Sequence, residues 1–258
     1  MFVSNTTEEL VEKVASLIRG ASYMVALTGA GVSTSAGIPD FRSPESGLWN
    51  DPENMPLFTS LGFAQDPKGF YELGQRLLPL FLNARPTRAH LFLAELERIG
   101  KLKCIITQNI DGLHQKAGSK RVLEVHGNLR EGRCTGCGKG YPIEDVVKKI
   151  ERGEIPPLCD YCKAYIKPNI VLFGEPLPEA VLQEAVGELT RCDLLLVMGS
   201  SLVVYPVADM PLTALEHDAR LVILNRLPTQ YDNRADVVLQ ASIEEAIERL
   251  QGFLDLQF

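Results

Sequence analysis

Residues 25–42 read VALTGAGVSTSAGIPDFR, and this stretch decides the fold. Its apolar lead-in, residues 23–28, suits a buried strand, and Gly29-Ala30-Gly31 interrupts it. Glycines between a strand and a helix let backbone amides approach a pyrophosphate. The dinucleotide fingerprint places a third glycine where Thr34 stands, so the signature is incomplete. On this pattern alone, nucleotide binding and an ordinary tight turn both stay open. The tail adds Asp40, Phe41 and Arg42, which suit either an ordinary loop or a lid over a ligand.

Outward from this turn, the pattern alternates. Leu10, Val11, Val14, Leu17 and Ile18 recur at helical spacing over residues 7–19, with Gly20 as a stop. Residues 40–87 and their border hold Pro39, Pro44, Pro52, Pro56, Pro67, Pro79 and Pro86. They read as an irregular, mostly helical insert, with a helix over 70–81 despite Pro79. Regular structure resumes with a helix near 87–99 and a strand over 103–107. A helix over 179–189 precedes the strand 194–198, whose nearly unbroken apolar character fits a parallel sheet covered on both faces. Short strands follow at 221–224 and 237–239. Ser242-Ile243-Glu244-Glu245 predicts a reciprocal capping box at the last helix. Strands alternating with helices indicate a doubly wound, Rossmann-like α/β fold with a parallel sheet.

The 258 residues are 45% hydrophobic and 23% charged, which suits an ordinary globular core. The net charge of -7 lacks the basic excess of a nucleic-acid binder. No apolar run is long enough to predict a membrane span. Glu8, Glu9, Glu12 and Lys13 break up the N-terminal apolar residues, unlike a secretory signal, so the expected location is cytoplasmic.

Cys134-x-x-Cys137 and Cys159-x-x-Cys162 are separated by 21 residues, close to the spacing of a four-thiolate zinc ribbon. Four protein ligands leave no open coordination position, so such a site holds a fold together and does not catalyse. Cys104 and Cys192, in or beside apolar strands, read as core residues.

Gln108, Asn109 and Asp111 follow the strand at 103–107, where open α/β sheets bind ligands. They suit a grip on ribose hydroxyls and a carboxamide, or a plain polar turn. His126, beside Gly127, fits a general base working near neutral pH, or a satisfied structural histidine. His114 is a weaker candidate, and His90 and His217 read as structural or solvated.

Taken together, GAGVSTSAGIPDFR (29–42), TQNIDGLH (107–114), EVHGN (124–128), the two cysteine pairs, PNIVLFGEPLP (168–178) and GSSLVVYPVA (199–208) resemble the sirtuin family of NAD-dependent protein deacylases. They run in the family's order and cover most of residues 25–225, and the compact length is similar to bacterial and archaeal members. The resemblance implies that His126 and Asn109 carry catalysis. It implies that Ala30, Thr34, Phe41 and Arg42 contact NAD, with Phe41 shielding the reaction centre. Gln108 and Asn109 then lie near the nicotinamide ribose, and Ile110 and Asp111 in the carboxamide pocket. Ser200, Ser201, Asn225 and Arg226 match the adenosine end, with Ala241 beside them. Val171 and Phe173 match the apolar tunnel around the acyl-lysine, and Gly174 and Glu175 the segment that pairs with substrate backbone.

The resemblance further implies consumed NAD as co-substrate, one structural zinc, and acyl-lysine proteins or peptides as partners. Residues 1–41, 88–126 and 169–258 would form the NAD-binding domain, and 42–87 with 127–168 the small domain. In the implied reaction the acyl oxygen attacks C1′ of the nicotinamide ribose and nicotinamide departs. His126 then deprotonates the ribose, and water releases free lysine and O-acyl-ADP-ribose. Ala36 stands where many members carry serine, and Ser200 where many carry threonine. Members that prefer succinyl or malonyl groups pair a tyrosine with an arginine three residues later; here Gly74 follows Tyr71, so acetyl or longer apolar acyl groups are expected. A protein mono-ADP-ribosyltransferase and a non-catalytic NAD sensor are the competing readings.

Overall fold

The structure, a computed structural model, describes residues 7–40 and 47–258. Among them are strands β1 (Met24–Thr28), β2 (Leu102–Thr107), β3 (Val122–Glu124), β4 (Gly127–Cys134), β5 (Gly140–Pro142), β6 (Ile166–Ile170), β7 (Leu194–Met198), β8 (Arg220–Leu224) and β9 (Val237–Leu239). The helices are α1 (Thr7–Gly20), α2 (Asn54–Leu57), α3 (Ser60–Gln65), α4 (Pro67–Asn83), α5 (Arg88–Arg98), α6 (Leu113–Lys116), α7 (Ile143–Glu151), α8 (Glu179–Leu189), α9 (Met210–Leu215) and α10 (Ile243–Leu254).

The apolar runs at β1 and β7 are buried along their full length because helices cover both faces of the sheet. Six parallel strands take the order β3-β2-β1-β7-β8-β9. On one face, Val14 of α1, Phe92 of α5 and Ile247 of α10 pack in a single apolar cluster. On the other, Leu189 of α8 and Met210 of α9 close a second. The chain moves outward in one direction from β1 and returns at β7 to move in the other. The order therefore reverses between β1 and β7, and the carboxyl ends of those strands are where an open α/β sheet forms its ligand crevice.

A separate antiparallel sheet has the order β5-β4-β6. Its apolar side, with Tyr141 and Ile166, shares one core with Phe63 of α3, Phe70 and Tyr71 of α4, and Val146 of α7. Phe63 and Phe70 meet edge to face with ring centroids 5.0 Å apart. The proline-rich insert and the cysteine-bearing segment thus bury their apolar residues against each other.

Helix α4 begins earlier than the predicted residue 70. Asp66 caps it, accepting from Gly69 N at 2.8 Å, and Pro67 takes the first position, where a missing N–H costs nothing. The capping box predicted at residue 242 does not form. Ser242 is the N-cap residue of α10 but makes no side-chain capping bond. The acidic first turn, Glu244 and Glu245, supports the helix end through its dipole, and Glu244 also accepts from Ser35 Oγ at 2.6 Å. Among the described residues no helix is long and apolar enough to cross a membrane.

Candidate active site

The turn after β1 lies backbone to backbone on the turn after β7. Gly31 N donates to Gly199 O at 2.9 Å, and a Cβ on Gly31 would stand 2.7 Å from Gly199 Cα. Gly199 itself has φ +62, and a Cβ there would stand 2.6 Å from Val32 N. These glycines are thus required first by the approach of two loops at the switch point. The helix expected after the turn is two single 3-10 turns, Ala30–Val32 and Thr34–Ala36. Ala30 is half-buried and Thr34 exposed at the rim. Phe41 and Arg42 lie outside the described residues.

The carboxyl end of β2 supplies the floor. Gln108 N donates to Thr28 O at 3.0 Å, and its side-chain Nε2 donates to Ser200 Oγ at 2.8 Å. Asn109 is buried, and its Nδ2 donates to Gly29 O and Ser33 Oγ, both at 3.1 Å. Ser33 Oγ in turn donates to Asp111 Oδ2 at 2.7 Å, while Leu113 N donates to Oδ1 at 2.9 Å. Burial raises the Asp111 pKa against these two hydrogen bonds. Ser33 was not among the sequence-derived residues. Its only sequence signal is a hydroxyl inside the glycine turn. Ile110 is half-buried and packs against the small-sheet core, beside Asp111 in the chain.

Ser200 is buried and Ser201 half-buried after β7. Asn225 is buried after β8 with Nδ2 on Leu227 O at 2.7 Å, Arg226 is exposed, and Ala241 is half-buried after β9. These positions occupy the same carboxyl edge as the β2 floor, beyond the switch point.

His126 follows β3 at the far side. Its Nδ1 lies 3.1 Å from Gln108 O, an acceptor only, so Nδ1 carries the proton and Nε2 the lone pair. Burial lowers its pKa, partly opposed by the Gln108 hydrogen bond, so the ring is neutral at pH 7. The backbone is held as well: Val171 N donates to His126 O at 2.9 Å, and Gly127, at φ +76, passes close to Asn169. Arg130 grips Glu124 through both guanidinium nitrogens and braces the turn.

The other histidines separate cleanly. His114 is buried with Nε2 2.9 Å from Thr28 Oγ1, which donates to Thr107 Oγ1 at 2.8 Å. Its ring packs against buried His90 at a tilt of 57°, with centroids 4.6 Å apart. Burial pushes the His90 pKa down to about 4, and burial with the His90 charge holds His114 well below its ordinary value. His217 is exposed.

Val171 and Phe173 are half-buried in the loop after β6. Phe173 N donates to Phe58 O, and Ser60 N to Phe173 O, both at 2.9 Å, so the insert pairs directly with this loop. Gly174 is exposed at φ +89, and the Glu175 carboxylate turns inward onto Leu172 N at 2.9 Å.

The four predicted cysteines converge: the Sγ atoms of Cys134, Cys137, Cys159 and Cys162 lie within 4.8 Å of one another. A tetrahedral zinc with bonds of about 2.3 Å requires thiolates under 4 Å apart, roughly, along each edge. Cys134–Cys162 at 3.2 Å and Cys137–Cys159 at 3.7 Å fit that need after small adjustment. Tyr141 Oη donates to Cys159 Sγ at 3.2 Å, as an outer support for a thiolate would. Cys104 and Cys192 are buried in the core beneath α8, as expected.

Residues 29–206 match the profile of the Sir2 family. The chain belongs to that family. A Sir2 relative from Caldivirga maquilingensis, an NAD-dependent protein deacetylase, is 47% identical over 92% of this chain and 90% of its own length. A solved Sir2 complex with p53 peptide and NAD+ superposes with a TM-score of 0.87 at 42% identity, covering 93% of this chain and 96% of that one. A second Sir2 structure, with deacetylated p53 peptide and 3'-O-acetyl ADP ribose, gives 0.90 at 42% identity, covering 94% and 97%.

Proposed function

We propose that this Sir2-family chain is an NAD-dependent protein lysine deacetylase, and that His126 is its general base. It moves the acyl group of a modified lysine onto ADP-ribose and yields nicotinamide, O-acyl-ADP-ribose and free lysine. The carrying observation is the placement of His126, with Nδ1 on Gln108 O and its carbonyl on Val171 N. One bond ties the base to the nucleotide crevice, the other to the acyl loop. The relatives support the reading, since their names and complexes hold NAD, acyl-peptide chemistry and the acetylated product.

NAD, as co-substrate, supplies an electrophilic ribose carbon and a departing nicotinamide. The chain's residues do the rest. Asn109, fixed by Gly29 O and Ser33 Oγ, and Gln108, fixed by Ser200, orient the ribose end. Ile110 and Asp111 receive the carboxamide. Ala30 and Thr34, with Phe41 and Arg42, border the pyrophosphate and reaction centre, while Ser200, Ser201, Asn225, Arg226 and Ala241 take the adenosine end. Val171 and Phe173 wall the acyl tunnel, and Gly174 and Glu175 border the peptide. The neutral Nε2 of His126 accepts a ribose hydroxyl proton. A zinc held by four thiolates supplies structural rigidity to the small sheet.

In this reading residues 1–41, 88–126 and 169–258 form the NAD domain, and 42–87 with 127–168 the small domain. A thiolate quartet suits a reducing compartment, which supports the cytoplasm. The test is nicotinamide release from NAD with and without an acetyl-lysine peptide, for wild type and His126→Ala. Peptide-dependent turnover is expected in wild type alone. An unchanged variant overturns the role given to His126. Peptide-independent labelling of protein by ADP-ribose would favour a transferase instead.

A further inference from the structure

The loop that carries Val171 and Phe173 is closed by an ion pair that the reaction itself does not use. Lys167, on β6, reaches Glu175 Oε2 at 2.7 Å and donates to Ile170 O at 2.7 Å. The same Oε2 accepts from Leu172 N at 2.9 Å, and Glu175 N donates back to Leu172 O at 3.0 Å. The side chains are only 18% and 28% exposed, so the pair is partly shielded from solvent and salt. Gly174, at φ +89, makes the tight turn between the two ends.

This closed loop has three attachments. Val171 N holds His126 O, Phe173 pairs with Phe58 and Ser60 of the insert, and Lys167 ties it to the small sheet. Its shape therefore sets both the width of the wall made by Val171 and Phe173 and the seat of the His126 backbone. We propose that Lys167 and Glu175 are positioning residues that fix the acyl-lysine tunnel against His126, with the Glu175 side chain committed to the loop and only its backbone border left for the peptide. This rests on the deacetylase reading. It makes Lys167 a determinant of peptide affinity and acyl-chain preference without contact to either substrate.

The experiment compares wild type, Lys167→Met, Lys167→Arg and Glu175→Gln. It reads nicotinamide release with acetyl-lysine and butyryl-lysine peptides, and binding of a labelled acetyl-lysine peptide by fluorescence anisotropy. Loss of a charge-assisted bond predicts a rise of about ten-fold in peptide KM and Kd for the Met and Gln variants. The KM for NAD stays at the wild-type value, the ratio of acetyl to butyryl kcat/KM moves, and Lys167→Arg restores both. Glu175→Gln retains an acceptor for Leu172 N, which keeps a folded variant available if Lys167→Met fails to fold. Unchanged peptide KM and acyl preference in a folded variant overturn the proposal, as does an Arg variant as impaired as Met. Absence of peptide-dependent release and of peptide binding in wild type overturns the deacetylase reading itself, and this proposal with it.

Discussion

The Nδ1 atom of His126 lies 3.1 Å from the carbonyl oxygen of Gln108, and this one bond settles which nitrogen can act as a base. Burial lowers the pKa of the ring, so the neutral form persists to lower pH than for a free imidazole of about 6.5. A base must be neutral to work. The pH profile of kcat/KM is therefore expected to stay flat as pH falls through 6.5, roughly, and to decline only at the lowered folded pKa. His126→Ala should lose on the order of a hundred-fold or more in kcat/KM, the usual worth of a positioned base. An acidic limb at or above the free imidazole value would contradict the assigned environment.

The contact between Gly31 and Gly199 predicts a sharp asymmetry among glycine substitutions. Gly199→Ala meets both a positive φ and Val32 N at 2.6 Å, whereas a Cβ on Gly187, inside α8, meets nothing within 4 Å. Gly199→Ala is expected to cost about 2–4 kcal/mol and to raise the KM for NAD. Gly187→Ala should stabilise by about 0.5–1 kcal/mol through helix propensity. Urea unfolding of both variants gives the comparison, and equal stabilities would show that the two loops can part without cost.

These glycines also show where sequence reading stops. The apolar run of β7 and the helix α8 were legible because burial on both faces and helical period leave direct marks. The four cysteines were legible because ligand spacing is local. Gly31 was legible as a turn, but not as the partner of Gly199, which lies far along the chain. Ser33 and Lys167 leave no periodic signal, since each acts through polar contacts made only after folding. At residue 242 the local pattern misleads, because the Ser242 side chain makes no capping bond and the helix end has its acidic first turn instead.

The thiolate quartet predicts one zinc per chain, released by strong chelators. Cys159 is fully buried and belongs to the same core as Tyr71 and Val146, so metal loss should loosen the small sheet and the insert together. Near-ultraviolet circular dichroism and metal analysis follow both events. Replacing zinc by cobalt should leave kcat and its pH profile at wild-type values, because all four positions are taken by sulfur. A shifted profile would mean the metal touches the chemistry.

The buried His90–His114 pair makes the fold acid-sensitive. Burial sets the His90 pKa at about 4, below the unfolded value of about 6.5. Between those values the unfolded state binds the extra proton, so stability is full above the unfolded pKa and falls as pH drops. The loss reaches about 2 kcal/mol by pH 5 for His90 alone, with His114 adding in the same direction. Urea midpoints at pH 7 and pH 5 test this. His90→Asn should reduce the difference between them, and an undiminished difference would place the sensitivity elsewhere.

Tyr71 decides the expected acyl preference. Its hydroxyl is buried and donates to Ile166 O, and its pKa is raised by burial alone. Gly74, one turn along α4, has open space where a side chain would begin. A carboxylate on the acyl group would thus meet neither a free Tyr71 phenol nor a guanidinium at position 74. A missing charge-assisted clamp is worth about 1.5–3 kcal/mol, so succinyl-lysine should react roughly ten-fold or more slowly than acetyl-lysine in kcat/KM. Gly74→Arg alone should not reverse the order, because the Tyr71 hydroxyl stays bound to Ile166. Competition between the two peptides, for wild type and Gly74→Arg, reads both points. A wild-type preference for succinyl, or a reversal in the single variant, would show that Tyr71 leaves the core to bind substrate.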